Sequence, residues 1–172
     1  MESIVNAIIN LFSGITALKF GKEIIVFFIS ILPILELRGG LLAASLLGVN
    51  PISAYIISMI GNILPVPFIL LFINKILEWM LKSKVKWINK FAKWLNKKAD
   101  KNKDKIEKYG YLGLLLFVGI PLPGTGAWTG CLVASVLQLD RKKAFFAALG
   151  GILMASIIMM IISYGIVGNL IR

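Results

Sequence analysis

The sequence predicts an all-α integral membrane protein built as an inverted-topology repeat, each half a re-entrant helical hairpin plus one transmembrane helix. Three observations predict it. Hydrophobic residues make up 58% of the 172-residue chain and charged residues 16%, with mean hydropathy +0.87. That is more apolar surface than a soluble domain of this size can bury. The apolar runs follow a short–break–short–long rhythm that recurs after 90 residues, and the basic residues cluster between apolar segments rather than along them.

The elements follow in order. Residues 3–18, "SIVNAIINLFSGITAL", set Ile4, Ile8, Leu11, Ile15 and Leu18 at helical spacing with polar residues between. This predicts an N-terminal helix lying in the membrane interface. With Glu2 ahead of it and no basic flank, the segment does not read as a signal peptide. Two runs of about a dozen apolar residues, 24–35 and 37–49, are divided by Pro33, Glu36 and Arg38. Residues 51–77 form a full-length span interrupted by "PVP" at 65–67. The second half repeats the rhythm with short runs over 110–122 and 130–139 and a span over 144–168.

Repeat 1 therefore covers about residues 23–77 and repeat 2 about 110–168, within a single membrane domain 1–172. Sliding the chain by 90 superposes Pro33 on Pro123, Gly40 on Gly130, "AAS" at 43–45 on "VAS" at 133–135, Ala54 on Ala144 and Gly61 on Gly151. A shared register of this kind marks an internal repeat.

Between the repeats lies a basic linker, about 78–108. Of 19 basic residues in the chain, 12 fall between Lys75 and Lys108. Trp87, Phe91, Trp94 and Leu95 recur on one helical face, with Lys84, Lys90, Lys93 and Lys97 interleaved. The pattern predicts an amphipathic helix on the cytoplasmic side of a prokaryotic cytoplasmic membrane, with anionic lipid headgroups as partners. Its place between apolar segments disfavours nucleic acid as the partner of the net +11 charge.

Charge placement also selects the topology. Runs of 10–14 residues are too short to cross ~30 Å of hydrocarbon. If each pair of short runs were one kinked span, Arg141, Lys142 and Lys143 would emerge opposite the linker, against the positive-inside rule. Hairpins that dip in and return leave "DRKK" at 140–143 cytoplasmic. Each half then crosses once, so the second is inverted and the two tips converge near the midplane.

The tips carry the candidate chemistry. Pro33, Pro121 and Pro123 remove backbone donors and stop helices. Gly39, Gly40, Gly124, Gly126 and Gly130 allow tight turning and close approach. The second helix of each hairpin starts at its tip, aiming free N–H groups and its positive dipole end at the centre. A charge at mid-bilayer costs roughly 2.5–3.5 kcal/mol on insertion scales, so Glu36 and Arg38 are expected to bind substrate or ion. At positions i and i+2 they diverge on an ideal helix, so a mutual ion pair would need a distorted turn. Thr125, Gly126, Trp128 and Thr129 are the candidates contributed by the second tip, and Asn62 is a secondary polar candidate within the first long span.

These same residues look familiar. "ELRGG" at 36–40, "GN" at 61–62 followed by "PVP" at 65–67, and "EKYGYLGLLLFVGIPLPGTGAWTG" at 107–130 resemble the small multidrug export protein family, a relative of the DedA/VTT superfamily. The resemblance covers roughly residues 23–168 and implies a re-entrant-loop membrane fold. It also implies functional residues at Glu36, Arg38 and the 121–130 loop, and lipid translocation or proton-dependent drug export as activities. DedA-like relatives tend to carry a basic residue in the second loop, where this chain has Trp128.

Three functions are open at this stage. One is a transporter of an amphipathic anion such as a lipid phosphate, held by Arg38 and the helix N-termini, with Glu36 carrying a coupling proton. Another is a proton-coupled exporter of small cationic drugs, with Glu36 binding the cation and Trp128 in cation–π contact. The third is a scaffold that transports nothing. No enzymatic activity, cofactor or metal is expected, because the chain has no His and its one Cys131 offers no disulfide, zinc site or nucleophile–base pair. The spacing of Gly126 and Gly130 permits a homo-oligomer.

Overall fold

The computed structural model describes residues 20–83, 85–122 and 124–167. The predicted interfacial helix over 3–18 and Pro123 lie outside them. Among the described residues every regular element is helical. In chain order they are α1 (Gly21–Ile31), α2 (Glu36–Leu46), α3 (Pro51–Ile63), α4 (Pro65–Lys82), α5 (Lys86–Gly119), α6 (Ala127–Val136) and α7 (Arg141–Met160), which runs on into a π-helical stretch, Ile161–Val167.

Two stretches are long and apolar enough to cross a membrane, Pro51–Phe72 with 22 residues and Arg141–Gly165 with 25. At a rise of 1.5 Å per residue they reach about 33 and 37 Å, against ~30 Å of hydrocarbon. Helices α1, α2 and α6, with 11, 11 and 10 residues, reach about half that.

Packing divides the described residues into two compact units. The first runs up to Leu64 and resumes at Ile152; the second runs from Pro65 to Gly151. Each long stretch therefore changes unit part-way along. Packing cuts the chain differently from the order of the two sequence repeats.

In the first unit α1, α2 and α3 pack pairwise. Their core joins Val26, Leu37, Leu41 and Ala54 to Ala155 and Met159, and a second cluster gathers Ile25, Ile29, Leu35 and Leu42. The π-helical stretch docks on α2 through polar contacts. Ser45 Oγ donates to the Ser163 carbonyl at 2.6 Å, and Tyr164 Oη donates to the Val49 carbonyl at 3.0 Å. In lipid such bonds hold helices together where apolar burial cannot drive association.

The second unit repeats this local structure. Helix α5 is two helices joined at Gly110, whose φ of 56° and ψ of −130° suit a residue without Cβ. The part before it is the basic amphipathic helix, with Trp87 and Trp94 exposed beside exposed Lys90, Lys93 and Lys97 and with Ala92 buried. The part after it is a short arm leading to α6.

Both hairpins end in the same helix stop. Gly48 N–H donates to the Ser45 carbonyl and Val49 N–H to Ala44, and Gln138 and Leu139 donate likewise to Ser135 and Ala134. Gly48 and Gln138 are both left-handed, with φ of 67° and 53°, as this terminus requires. A cap then starts the next helix. Asn50 Oδ1 accepts from Ile52 N at 3.0 Å, with Pro51 at the first helical position, and Asp140 Oδ1 accepts from Lys143 N at 2.9 Å. These are strong helix-start residues in their usual place.

Each hairpin also closes at its base. Lys22 Nζ, in the first turn of α1, donates to the Leu47 carbonyl at the end of α2 at 2.8 Å. Tyr111 Oη accepts from Asp140 N at 3.2 Å, and Lys143 Nζ lies 5.9 Å from the Tyr111 ring centre. The chain leaves each hairpin beside the point where it entered.

The arms are held together by pairs of glycines. A Cβ on Gly40 would collide with Ser30 Oγ, and one on Gly61 would lie 2.8 Å from Ser30 Cβ and 2.9 Å from the Phe27 carbonyl. In the second unit a Cβ on Gly130 would lie 2.7 Å from Val118 Cγ2, and one on Gly151 would lie 2.6 Å from both Val118 Cβ and the Leu115 carbonyl. Ser30 and Val118 are thus equivalent arm residues, each seated between two glycines, at an offset of 88 rather than 90. Ile31 and Gly119, where the arms end, share the offset of 88. The second tip is therefore two residues longer than the first. The sequence match of Pro33 to Pro123 falls inside this lengthened tip, and Pro123 lies outside the described residues. A uniform slide cannot detect an insertion inside a loop.

Adjacent glycines in α7 test this geometry. Gly151→Ala should lower the melting stability of the detergent-solubilised protein by about 1–3 kcal/mol, because backbone and a Cβ must move. Gly150→Ala meets only the flexible end of Leu115, at 3.1 Å, and should melt close to wild type.

Candidate functional site

The break between α1 and α2 occupies residues 32–35. Pro33 has no N–H to continue the helix. Around it Leu32 N–H donates to the Ile29 carbonyl, Glu36 N–H to Leu32 at 2.9 Å and Gly39 N–H to Leu35 at 2.8 Å. The turn thus satisfies backbone groups that hydrocarbon could not. It does so by forcing Glu36 to a φ of 51°. A non-glycine residue there costs about 1–2 kcal/mol, and such outliers gather at functional sites.

The two charged side chains are buried. Glu36 is 4% exposed and Arg38 7%, and the Glu36 carboxylate acts electrostatically on the Arg38 guanidinium. The left-handed residue is the distorted turn that such an interaction at i and i+2 needs.

Helix α3 supplies more buried polarity. Ser58 is fully buried and Asn62 is 2% exposed, and neither Ser58 Oγ nor Asn62 Oδ1 has a hydrogen-bond partner among the described residues. Helices α2 and α3 are joined by a four-residue turn and run antiparallel. A Cβ on Gly40 would lie 3.0 Å from Ser58 Oγ, so one turn further along each helix Asn62 comes level with Glu36. Ser30 Oγ donates to the Val26 carbonyl at 2.7 Å beside Gly40. Ser30, Glu36, Arg38, Ser58 and Asn62 make a polar seam through the packed helices α1, α2 and α3. Gly39 and Gly40, expected at a binding loop, are used as packing surfaces: a Cβ on Gly39 would sit 2.6 Å from Leu35 Cβ.

The second tip is built differently. Gly124 and Gly126 adopt φ of 86° and 135°, closed to most other residues. Thr125 Oγ1 donates locally, lying 2.9 Å from the Ile120 carbonyl and 2.8 Å from that of Leu122. This is a turn-forming use of threonine. Pro121 and Trp128 are half-buried and Thr129 is buried. Gly130 packs on the arm. Thr125 also borders a cavity of about 240 Å³ walled by Tyr109, Leu116, Phe117 and Ile120.

Matching the units residue by residue exposes an asymmetry. Where the first unit has Ser30, Glu36, Arg38 and Ser58, the second has Val118, Gly126, Trp128 and Ala148, and the place of Asn62 is taken in the repeat by Ile152, the residue at which the chain re-enters the first unit. Val118, Ala148 and Ile152 are all buried. The polar seam belongs to one unit alone. Sequence reasoning found its charged members and Asn62 but missed Ser30 and Ser58. The available signal was Ser58 four residues before Asn62, two polar residues on one face of an apolar helix.

A family model described as "Putative small multi-drug export protein" matches residues 36–158, well over half of the chain. The chain belongs to this family. The matched segment opens on Glu36 and takes in Arg38, Ser58, Asn62, the basic helix and the whole second hairpin. Family and long apolar helices together make it a membrane protein. No curated protein and no solved structure matches the chain.

The strain at Glu36 is separable from its charge. Glu36→Gly and Glu36→Ala both remove the carboxylate, but only glycine relaxes the left-handed backbone. Glu36→Gly should be the more stable of the two by about 1 kcal/mol in thermal or denaturant melts.

Proposed function

We propose that this protein exports small amphipathic cations, with Glu36 as the counter-charge that receives the substrate and Arg38 as the internal cation that replaces it. The observation that carries this reading is the burial of both charges in one polar seam beside the unpartnered acceptors Ser58 Oγ and Asn62 Oδ1. Buried charges are expensive in a membrane and are found on transport pathways. A carboxylate that can pair with either Arg38 or a bound cation stays compensated in both states. Protonation of Glu36 from the far side would release the cation, and loss of that proton to the near side would restore pairing with Arg38. The export named in the family's description favours the same reading.

A lipid phosphate as substrate is less well supported. The seam holds one guanidinium with a carboxylate two residues away, which repels a phosphate as Arg38 attracts it. Trp128 and Gly126, at the matching positions of the second unit, add no positive charge. Neither reading requires bond-making chemistry at these residues.

Hairpin closure supports a re-entrant reading of both breaks. In the second unit one cavity is lined by both Lys75, just beyond the first long stretch, and Arg141, which opens the second. A hairpin that returns to its side of entry brings those two cations to one membrane surface. A straight crossing would part them by ~30 Å of hydrocarbon. Cysteines introduced at 50, 125 and 141, in a Cys131→Ala background, should report this layout, with position 141 labelling from the same face as the basic helix.

Transport is tested in proteoliposomes by efflux of a fluorescent lipophilic cation. Glu36→Gln should slow efflux at least about tenfold, the effect of losing one buried charge partner. Arg38→Ala should keep substrate binding while slowing turnover. Wild-type efflux by Glu36→Gln would overturn the cation reading, and loss of all binding by Arg38→Ala would point to an anionic substrate instead.

A further inference from the structure

The second unit holds a place that cation export does not use. A cavity of about 380 Å³ is lined by Lys75, Arg141, Ser135 and Gln138 over Leu70 and Leu139. A second, of about 370 Å³, shares Leu70, Leu71 and Arg141 with it and extends along Pro67, Phe145 and Phe146. Both volumes fall in the range of small-ligand sites, ~300–1,000 Å³. One is polar and cationic, and the other is apolar apart from Arg141 and Lys142. None of the residues lining either one is acidic. The neighbouring Asp140 carboxylate is engaged in capping α7 through Lys143 N.

The level of the pair in the membrane follows from the long stretches. One ends at Phe72 and the other begins at Arg141, so the polar cavity sits where hydrocarbon gives way to headgroups. The apolar cavity runs from there along the membrane-spanning side of α4 and α7. Gln138 adds a further sign. It holds the left-handed helix stop that Gly48 holds in the first unit, where a Cβ on Gly48 would meet nothing within 4 Å. Glycine would make that stop with less strain. Gln138 instead brings a side-chain amide to the cavity wall.

We propose that this unit binds one anionic phospholipid. Its phosphate would lie between Lys75 and Arg141, with the Gln138 amide donating to it, and one acyl chain would follow Leu71, Phe145 and Phe146. A guanidinium suits a phosphate by presenting paired N–H donors, and a lysine adds a compact charge. The site is distinct from the diffuse attraction of the basic helix, none of whose residues lines either cavity. It is independent of what the Glu36 seam carries.

Native mass spectrometry of the full-length protein in detergent tests this. The probes are phosphatidylglycerol and phosphatidylcholine with the same acyl chains. Wild type should retain a single phosphatidylglycerol per chain, at least about tenfold more tightly than phosphatidylcholine. Lys75→Gln with Arg141→Gln should lose about thirtyfold, and each single substitution about fivefold, the effect of one headgroup charge apiece. Lys75 and Arg141 are exposed, so the variants should fold, and the single substitutions serve if the double one does not. Replacing Lys90, Lys93 and Lys97 by Gln should leave the tightly held lipid in place. Phe146→Asn should weaken the phospholipid without changing retention of inorganic phosphate.

Equal retention of the two lipids, or wild-type retention by the Lys75 and Arg141 variants, would overturn the proposal. So would loss of the bound lipid on neutralising the basic helix. Displacement of the lipid by millimolar inorganic phosphate would reduce the place to an anion site and overturn the lipid assignment.

Discussion

Helix association in lipid gains little from apolar burial, since lipid tails are as apolar as leucine. Close packing has to take its place, and in this protein it depends on an arm residue seated between two glycines. Ser30 occupies that seat between Gly40 and Gly61, and Val118 occupies it between Gly130 and Gly151. The contact brings three helical segments together where side chains would hold them apart. It fixes how each arm lies against the helix that follows its break. The helix stops and caps at 44–53 and 134–143 then turn the chain back on itself.

On this shared frame the two units have diverged in polarity. In the first, the seat is a serine and the surrounding positions are Glu36, Arg38, Ser58 and Asn62. In the second, the seat is a valine and Ala148 fills the place of Ser58. A polar seam among packed helices destabilises the fold, because unpartnered buried acceptors cost about 1–3 kcal/mol each. A left-handed Glu36 adds to that burden. The second unit shows that the same packing forms without any of these residues, so the fold alone does not call for them. Natural proteins accept such local inconsistency at functional sites. In the second unit Lys75 and Arg141 instead line a cavity together.

The long stretches link the units covalently. Pro51–Phe72 passes from one to the other at Leu64, and Arg141–Gly165 does so at Gly151. Pro65 and Pro67 follow the first of these crossings, where missing N–H groups weaken the helix. The second crossing falls beside the glycine pair at 150–151. Each crossing thus has on one side a residue that lacks either the backbone N–H or the Cβ, Pro65 in the first and Gly151 in the second.

Much of this was legible in the chain. Hydropathy marked the spans, because ~30 Å of hydrocarbon demands about 20 apolar residues and tolerates few charges. Pro33 marked the first break, because proline acts through its own backbone, whereas the helix stop at Gly48, the cap at Asn50 and the kink at Gly110 came to light only in the structure. Glu36 and Arg38 stood out because charge is costly in that setting. What sequence could not settle were quantities that depend on two segments at once. Ser30 looks like one polar residue in an apolar helix until Gly40, Gly61 and Ser58 surround it. The two-residue insertion in the second tip is invisible to a uniform offset, and Lys75 and Arg141 meet only because the intervening hairpin closes. Local chemistry is written in order along the chain, whereas the seam and the cavity arise from contacts between residues far apart in it, which only the packed helices bring together.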